Sequence, residues 1–155
     1  MADKVRCGII VFNSLGEILI EHPFGYSKTK THCWDIPKGH WDSSLDLKTI
    51  DVAIRECKEE TGLSLEKNEV NHIITIDYNR DTLHIFGVNH PIEIDMNELH
   101  CDSKIENCSQ EWKNGKPEVD DYLFVAADEI TDFLFKGYNQ KFFKDAVYNW
   151  VSDHL

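Results

Sequence analysis

Apolar residues near the N-terminus follow the pattern of two short strands joined by a turn. Residues 5–12 form a β-rich apolar run, and residues 17–20 form a second apolar stretch. The intervening residues 13–16 have turn chemistry, because Gly16 can adopt a positive φ. This pattern predicts a β-hairpin, and the polar, turn-rich residues 21–33 predict a loop after it.

The next periodic segment has the spacing of an amphipathic helix. Four apolar residues recur at i, i+3, i+4 and i+7 and so share one face: Ile50, Ala53, Ile54 and Cys57. We predict a helix over about residues 47–61, with Gly62 as its C-cap.

The second half of the chain alternates strand-like and helix-like segments. Strands are predicted at residues 71–77, 82–88 and 122–126, and helices at residues 128–135 and 140–155. The apolar stripe of the last helix is typical of core packing: Phe143, Val147, Trp150 and Val151. Residues 102–116 are polar and predict an irregular excursion. The pattern predicts one α/β (α+β) domain over residues 1–155.

Composition narrows the possible partners. The formal net charge of −12 over 155 residues argues against binding duplex nucleic acid, which requires a basic surface. No apolar run approaches the roughly 18 residues that cross a bilayer, so no membrane contact is expected. The N-terminus has no signal-peptide pattern, and the five cysteines lack a disulfide-framework spacing. A cytoplasmic protein with reduced thiols is expected.

The predicted central helix ends in a cluster of acids. Glu56, Glu59 and Glu60 fall within an arc of roughly 100° on one side of the helix. Like charges at this spacing destabilise a helix, and the C-terminal end of its dipole disfavours anions. Mg²⁺ or Mn²⁺ would reverse both effects, since these ions bind carboxylates together with substrate phosphates. The alternative is a solvated charged face paired with neighbouring lysines and Arg55.

The segment from Trp34 to Leu63 resembles the signature of the Nudix hydrolase family. The second half of that signature is matched without a gap by Arg55, Glu56, Cys57, Glu59, Glu60, Gly62 and Leu63. Gly39 takes the place of the leading glycine, but fifteen residues separate it from Arg55, two more than in the family. The lengthened loop places Leu47 where the family has its first acid, and Asp46 is the nearest carboxylate.

The resemblance implies a fold and a set of site residues. The fold would be an α/β/α sandwich with a mixed sheet between helices. Mg²⁺ or Mn²⁺ would be bound by Glu59 and Glu60 with the Gly39 carbonyl, and Glu56 would be a further ligand or the general base. Arg55 would orient these carboxylates, so that Arg55, Glu56 and Glu59 form the catalytic group. A distal acid would complete the metal site; Glu118 is favoured, with Asp120 and Asp121 as rivals.

Residues 34–40 look like the sequence that precedes the signature in dinucleoside tetraphosphate hydrolases and RNA 5′-pyrophosphohydrolases. Lys38 is a candidate phosphate contact, and Trp34, Tyr26 or Phe24 is a candidate to stack on a base. For Trp34 the alternative is an aromatic side chain packed at the end of a strand. His40 and His84 are alternative bases.

The favoured function is metal-dependent hydrolysis of a dinucleoside polyphosphate or a related nucleoside diphosphate derivative. The rivals are RNA 5′-pyrophosphohydrolase, nucleoside triphosphate pyrophosphohydrolase and a non-catalytic nucleotide-binding module.

Overall fold

A mixed four-stranded sheet forms the centre of the protein. The computed structural model describes residues 4–29, 31–78 and 80–155, so Lys30 of the predicted loop lies outside the described residues. The strands of these ranges are β1 (Val5–Ile10), β2 (Glu17–Pro23), β3 (Lys38–His40), β4 (Val70–Tyr78), β5 (Asp81–Val88) and β6 (Val119–Ala126). The large sheet has the order β3-β1-β5-β4, with β1 and β5 parallel and the other pairs antiparallel. Strands β2 and β6 form a separate antiparallel pair.

Helices cover both faces of the large sheet. The hydrophobic core has two clusters of buried side chains, one on each face of this sheet. Side chains alternate along β1, so Cys7 and Ile9 lie in one cluster and Ile10 lies in the other. Helix α1 (Thr49–Thr61) packs on the first face, and helix α3 (Phe143–His154) packs on the second. The predicted α/β/α arrangement with a mixed sheet between helices is therefore confirmed.

The predicted N-terminal hairpin is only partly correct. The turn forms as expected, with Gly16 at φ 77° and the Asn13 amide donating to the Glu17 carbonyl at 3.0 Å. Beyond the turn the prediction is wrong, because the partner of β2 is β6 and not β1. One isolated bridge, between Phe12 and Ile18, is the part of the predicted hairpin ladder that forms. The partner strand lies about a hundred residues later in the chain, beyond the reach of a local pattern.

The predicted loop after β2 begins too early. The strand continues to Pro23, and Glu21 and His22 are both buried. The backbone of Glu21 exchanges two hydrogen bonds with Asp35, at 2.8 and 2.9 Å. These polar residues stay extended because β2 pairs with β6 on one edge and Glu21 pairs with Asp35 on the other. Both partners are distant in sequence, so the local composition of residues 21–23 does not predict the strand.

The other predicted elements agree with the structure apart from their ends, whereas the short strand β3 was not predicted. Helix α1 starts at Thr49, and Gly62 caps it at φ 83°. A 3₁₀ turn at Ala127–Glu129 leads into the short helix α2 (Ile130–Phe133). The polar excursion contains a 3₁₀ turn at Glu111–Lys113 and folds back through a Lys104–Pro117 bridge. Further 3₁₀ turns span Lys67–Glu69, Met96–Glu98 and Lys136–Tyr138. None of the helices within the described ranges combines the length and apolar character needed to cross a bilayer.

Candidate active site

The acidic end of α1 faces a cavity of about 770 Å³, which we call the acidic cavity. Its acidic and glycine lining comes from four parts of the chain: Glu21, Asp35, Gly39, Asp42, Glu56, Glu59, Glu60 and Glu118. The structure thus brings together all five residues predicted as metal ligands. It adds Glu21, which the sequence analysis assigned to a loop. Strand alternation continued past Leu19 would have placed Glu21 on the inward side.

Glu56 lies directly against Gly39. A Cβ atom at position 39 would be only 2.0 Å from Glu56 Cδ, so no other residue fits here without moving the carboxylate. The Arg55 guanidinium donates to Glu56 Oε1 at 2.8 Å. Burial raises the pKa of Glu56 to about 7, and the nearby charge of Glu59 adds to the effect.

Glu60 is held from three sides. The Lys38 amide donates to its Oε1 at 2.9 Å, and the Tyr122 hydroxyl donates to its backbone carbonyl. The residue is only 6% exposed. Burial raises the pKa of Glu60 well above its ordinary value, and the adjacent Glu21 carboxyl raises it further.

Arg55 connects the lengthened loop to the catalytic helix. Its guanidinium donates to both Asp46 oxygens, at 3.0 and 2.9 Å, and to the His40 carbonyl at 3.1 Å. It also reaches Glu59 at 3.4 Å. The Asp46 carboxylate is buried, and Arg55 holds its pKa below the ordinary range. Asp46 therefore anchors Arg55, while Leu47, in the position of the family's first acid, is 88% exposed.

Glu118 is the acid of its segment that reaches the acidic cavity. Its two rivals pair elsewhere, Asp120 with His22 Nδ1 at 2.5 Å and Asp121 with Lys28 at 3.4 Å. Burial raises the pKa of Glu118. The geometry favours Glu118 as the distal acid.

Lys38 lies between two cavities, whereas Trp34 reaches neither. The Lys38 ammonium pairs with Asp35 at 2.9 Å and lines both the acidic cavity and a second cavity beside it. Trp34 is 6% exposed, and its ring packs in the core with His22 against its edge. Because this ring is enclosed by protein, the structure does not support the predicted stacking of a base on Trp34.

The second cavity, which we call the aromatic cavity, has a volume of about 410 Å³. Four aromatic side chains line it: Tyr26, Tyr78, Phe135 and Tyr138. Tyr26 packs edge-on against Phe135, with ring centroids 5.1 Å apart. Sequence reasoning missed the cavity as a whole, since its residues are scattered along the chain, although Tyr26 was a candidate for base stacking.

The two candidate histidine bases both line a third cavity, but only one of them also reaches the acidic cavity. His40 lines the acidic cavity, and burial lowers its pKa. His84 points to another surface, where its Nδ1 is 2.8 Å from the Thr75 hydroxyl. Of the two, only His40 is placed to act on a ligand in the acidic cavity.

The acidic cavity has the chemistry of a divalent-cation site. Over the described ranges, no three His, Cys, Asp or Glu side chains already form a complete ligand set. The donors nevertheless fit such an ion. Burial raises the pKa of Glu56 and Glu60, and Glu21 Oε1 is buried with no hydrogen-bond partner. A divalent cation would neutralise this crowded charge with the hard oxygen ligands it prefers.

Comparisons of the sequence with known proteins give two matches. A family model described as NUDIX domain matches residues 3–146. A 17.7 kDa uncharacterised protein from the e-segB intergenic region of Enterobacteria phage T4 is 33% identical over 129 residues, which cover 78% of this chain and 81% of the relative.

Solved structures share the fold at low sequence identity. The NUDIX domain of Shewanella oneidensis NrtR, complexed with ADP ribose, has a TM-score of 0.61 and 11% identity, covering 90% of this chain and 84% of that one. A C. elegans Ap4A hydrolase in a binary complex has a TM-score of 0.55 and 16% identity, covering 95% and 96%.

Proposed function

Since the chain belongs to the Nudix family and is a hydrolase of pyrophosphate bonds, we propose that it cleaves a dinucleoside polyphosphate or a related nucleoside diphosphate derivative. The observation that supports this most directly is the convergence of Glu56, Glu59, Glu60 and Glu118 on one cavity beside Gly39. Such a set suits a phosphate substrate only when cations neutralise it.

Mg²⁺ or Mn²⁺ would be held by Glu56, Glu59, Glu60 and Glu118 together with Gly39. When bound, the ion withdraws charge from the diphosphate and lowers the pKa of water.

Glu56 is the group best placed to take the proton of the attacking water. Burial raises its pKa to about 7 in the metal-free protein, and a bound cation would lower it, so that the carboxylate is ionised and able to accept a proton near neutral pH. Water then attacks one phosphorus atom, the bridging P–O bond breaks, and the second phosphate leaves with the bridging oxygen. Arg55 keeps the carboxylate in place through its 2.8 Å contact.

The aromatic cavity is the proposed place for the nucleoside. It adjoins the acidic cavity, and Arg6, Asp35 and Lys38 line both, so a phosphate chain could pass between them. Aromatic stacking on a base contributes about 1–3 kcal/mol, and Tyr26 is 53% exposed. Related folds in complex with ADP ribose or described as an Ap4A hydrolase are compatible with this substrate class.

We also propose a small nucleotide as the partner and the cytoplasm as the location. The net charge of −12 disfavours nucleic acid duplexes, and all five cysteines are free thiols, as suits a reducing compartment.

A substrate panel with Mg²⁺ tests the proposal. It should contain dinucleoside polyphosphates, ADP-ribose, nucleoside triphosphates and 5′-triphosphorylated RNA, with hydrolysis in ¹⁸O-labelled water identifying the phosphorus attacked. We expect the highest kcat/KM for a dinucleoside polyphosphate. Faster cleavage of RNA or triphosphates would favour those rivals, and nucleotide binding without turnover would favour a binding module.

Replacing Glu60 tests its assignment as a metal ligand needed for turnover. Glu60→Gln should lower kcat by more than about 100-fold, a loss of about 2.7 kcal/mol of barrier lowering, while the circular dichroism spectrum stays unchanged. Glu66→Gln is the matched control, because Glu66 is exposed and lies outside the acidic cavity. Turnover near that of the wild type in Glu60→Gln would refute the assignment.

A further inference from the structure

Glu21 is a strand carboxylate that reaches the acidic cavity from the side opposite α1. It is only 3% exposed, and its backbone is fixed by two hydrogen bonds to Asp35. Strand β6 holds β2 on its other edge, where Glu21 pairs in register with Tyr122. The position of this carboxylate is therefore set by rigid structure.

The Glu21 side chain is unsatisfied in a way that points to a ligand. Its Oε1 atom is buried without a hydrogen-bond partner. Its carboxyl lies against that of Glu60, a second buried acid. An unpartnered buried carboxylate oxygen is costly, and native structures retain one chiefly where an ion, a water or function compensates it.

The cationic side chains that line the acidic cavity are engaged with other acids. Each pairs with an aspartate: Arg6 with Asp81, Lys38 with Asp35 and Arg55 with Asp46. Arg6 Nε is also buried without a hydrogen-bond partner, but the ion pair of the Arg6 guanidinium is made with Asp81. These ion pairs leave the buried Glu21 oxygen without a partner, and a cation that enters the cavity would compensate it.

We propose that Glu21 is a further ligand of the divalent cation, acting together with Glu60. This inference rests on the proposed function, and it extends the metal site beyond the acids of α1 and Glu118. The site then draws on a strand, a helix and the segment before β6.

The alternative is that Glu21 only positions Glu60 through a shared proton. Glu21→Gln separates the two roles, because the amide can still donate a hydrogen bond to Glu60 but carries no negative charge. A positioning role would survive this change, whereas metal ligation would be weakened.

The test is a Mn²⁺ titration of the full chain, followed by the electron paramagnetic resonance signal of free Mn²⁺. Four proteins are compared: wild type, Glu21→Gln, Glu60→Gln and Glu17→Gln. Glu17 is the matched control, because it lies on the same strand and contacts Asn13 outside the acidic cavity.

We expect Glu21→Gln to raise the Kd for Mn²⁺ at least about 10-fold, since even outer-sphere partners of a metal ligand change affinity by about 10–100-fold. Glu17→Gln should bind as the wild type does. If Glu21→Gln bound Mn²⁺ with the wild-type affinity while Glu60→Gln bound it more weakly, the proposed role of Glu21 would be overturned and the metal site itself would stand. A wild type that fails to bind Mn²⁺ would overturn the proposed function as well.

Thermal unfolding without metal shows whether the Gln variant is folded. We expect it to be at least as stable as the wild type, because a buried charge has been removed. If it does not fold, Glu21→Met has a similar length and no charge, and the same Mn²⁺ comparison applies to it.

Discussion

Gly39 determines where the Glu56 carboxylate can lie. The two groups are in such close contact that any side chain at position 39 would occupy the place of Glu56 Cδ. The signature glycine lies within strand β3 and is thus required by its packing against Glu56.

We predict that Gly39→Ala lowers kcat more than about 10-fold and destabilises the fold by about 1–3 kcal/mol through overpacking. Steady-state kinetics and urea unfolding measure the two effects. Gly115→Ala is the control, since a Cβ there meets open space and only its φ of 82° is unfavourable. Full activity in Gly39→Ala would show that Glu56 can move without consequence.

Arg55 depends on the shape of its guanidinium as well as on its charge. It donates to Asp46 through two nitrogens while a third contact holds Glu56. A lysine ammonium is a point donor and cannot make this forked set.

Arg55→Lys should therefore lower kcat at least about 10-fold, although the net charge is unchanged. Lys58→Arg is the matched control, because Lys58 is exposed on the same helix. If the Arg55→Lys enzyme retained the wild-type kcat, charge alone would explain the role of Arg55.

At the scale of elements, the ion pair between Asp46 and Arg55 connects the lengthened loop to α1. Asp46 also accepts a hydrogen bond from the Asp42 amide at 2.9 Å, so its carboxylate closes the loop as well as anchoring Arg55. Two extra residues are accommodated because the loop bends outward, with Leu45 and Leu47 exposed, and returns to the helix at this contact.

This anchor predicts a pH dependence of stability. The pKa of Asp46 is lowered from its ordinary value of 3.8, so the ion pair contributes fully above that value and is lost as the pH falls through the lowered pKa. Asp46→Asn should reduce the free energy of unfolding by about 1–3 kcal/mol at neutral pH. The difference from the wild type should shrink as the pH falls below 3.8.

Urea unfolding over a pH series measures this difference. Asp128→Asn, a change at an exposed acid, serves as the control. A difference between wild type and Asp46→Asn that stayed constant down to the lowest pH would contradict a charged Asp46–Arg55 pair.

Features that depend on residue spacing within one element could be predicted from the sequence, whereas features that depend on contacts with distant segments could not. The α1 acids, their glycine cap and the α3 stripe follow from spacing within one helix, and the structure contains them where expected. Glu21 was missed because its burial depends on β6 and on Asp35. Trp34 is enclosed by residues from distant segments, so its position just before the signature wrongly suggested that its ring could contact a base.

At the scale of the whole molecule, the acidic cavity contains buried carboxyl groups whose ionisation lowers the stability of the metal-free fold. The pKa values of Glu21, Glu56 and Glu60 are all raised above the ordinary 4.5 because burial penalises the charged form. Above that pH the folded chain holds these protons more tightly than the unfolded chain does. The free energy of unfolding without metal therefore falls as the pH rises, for Glu56 between about 4.5 and about 7. A bound cation would remove this cost.

The most direct test of this account is the melting temperature of the wild type and Glu60→Gln near neutral pH, with and without Mg²⁺. Without metal, Glu60→Gln should melt higher, because the folded wild type must either bury a charged Glu60 or protonate it, and the variant does neither. With Mg²⁺ at about 100 times its Kd, the wild type should gain about 2.7 kcal/mol, or several degrees, while the variant gains little. Equal melting temperatures for both proteins, unchanged by Mg²⁺, would contradict the claim that these carboxylates are a metal site.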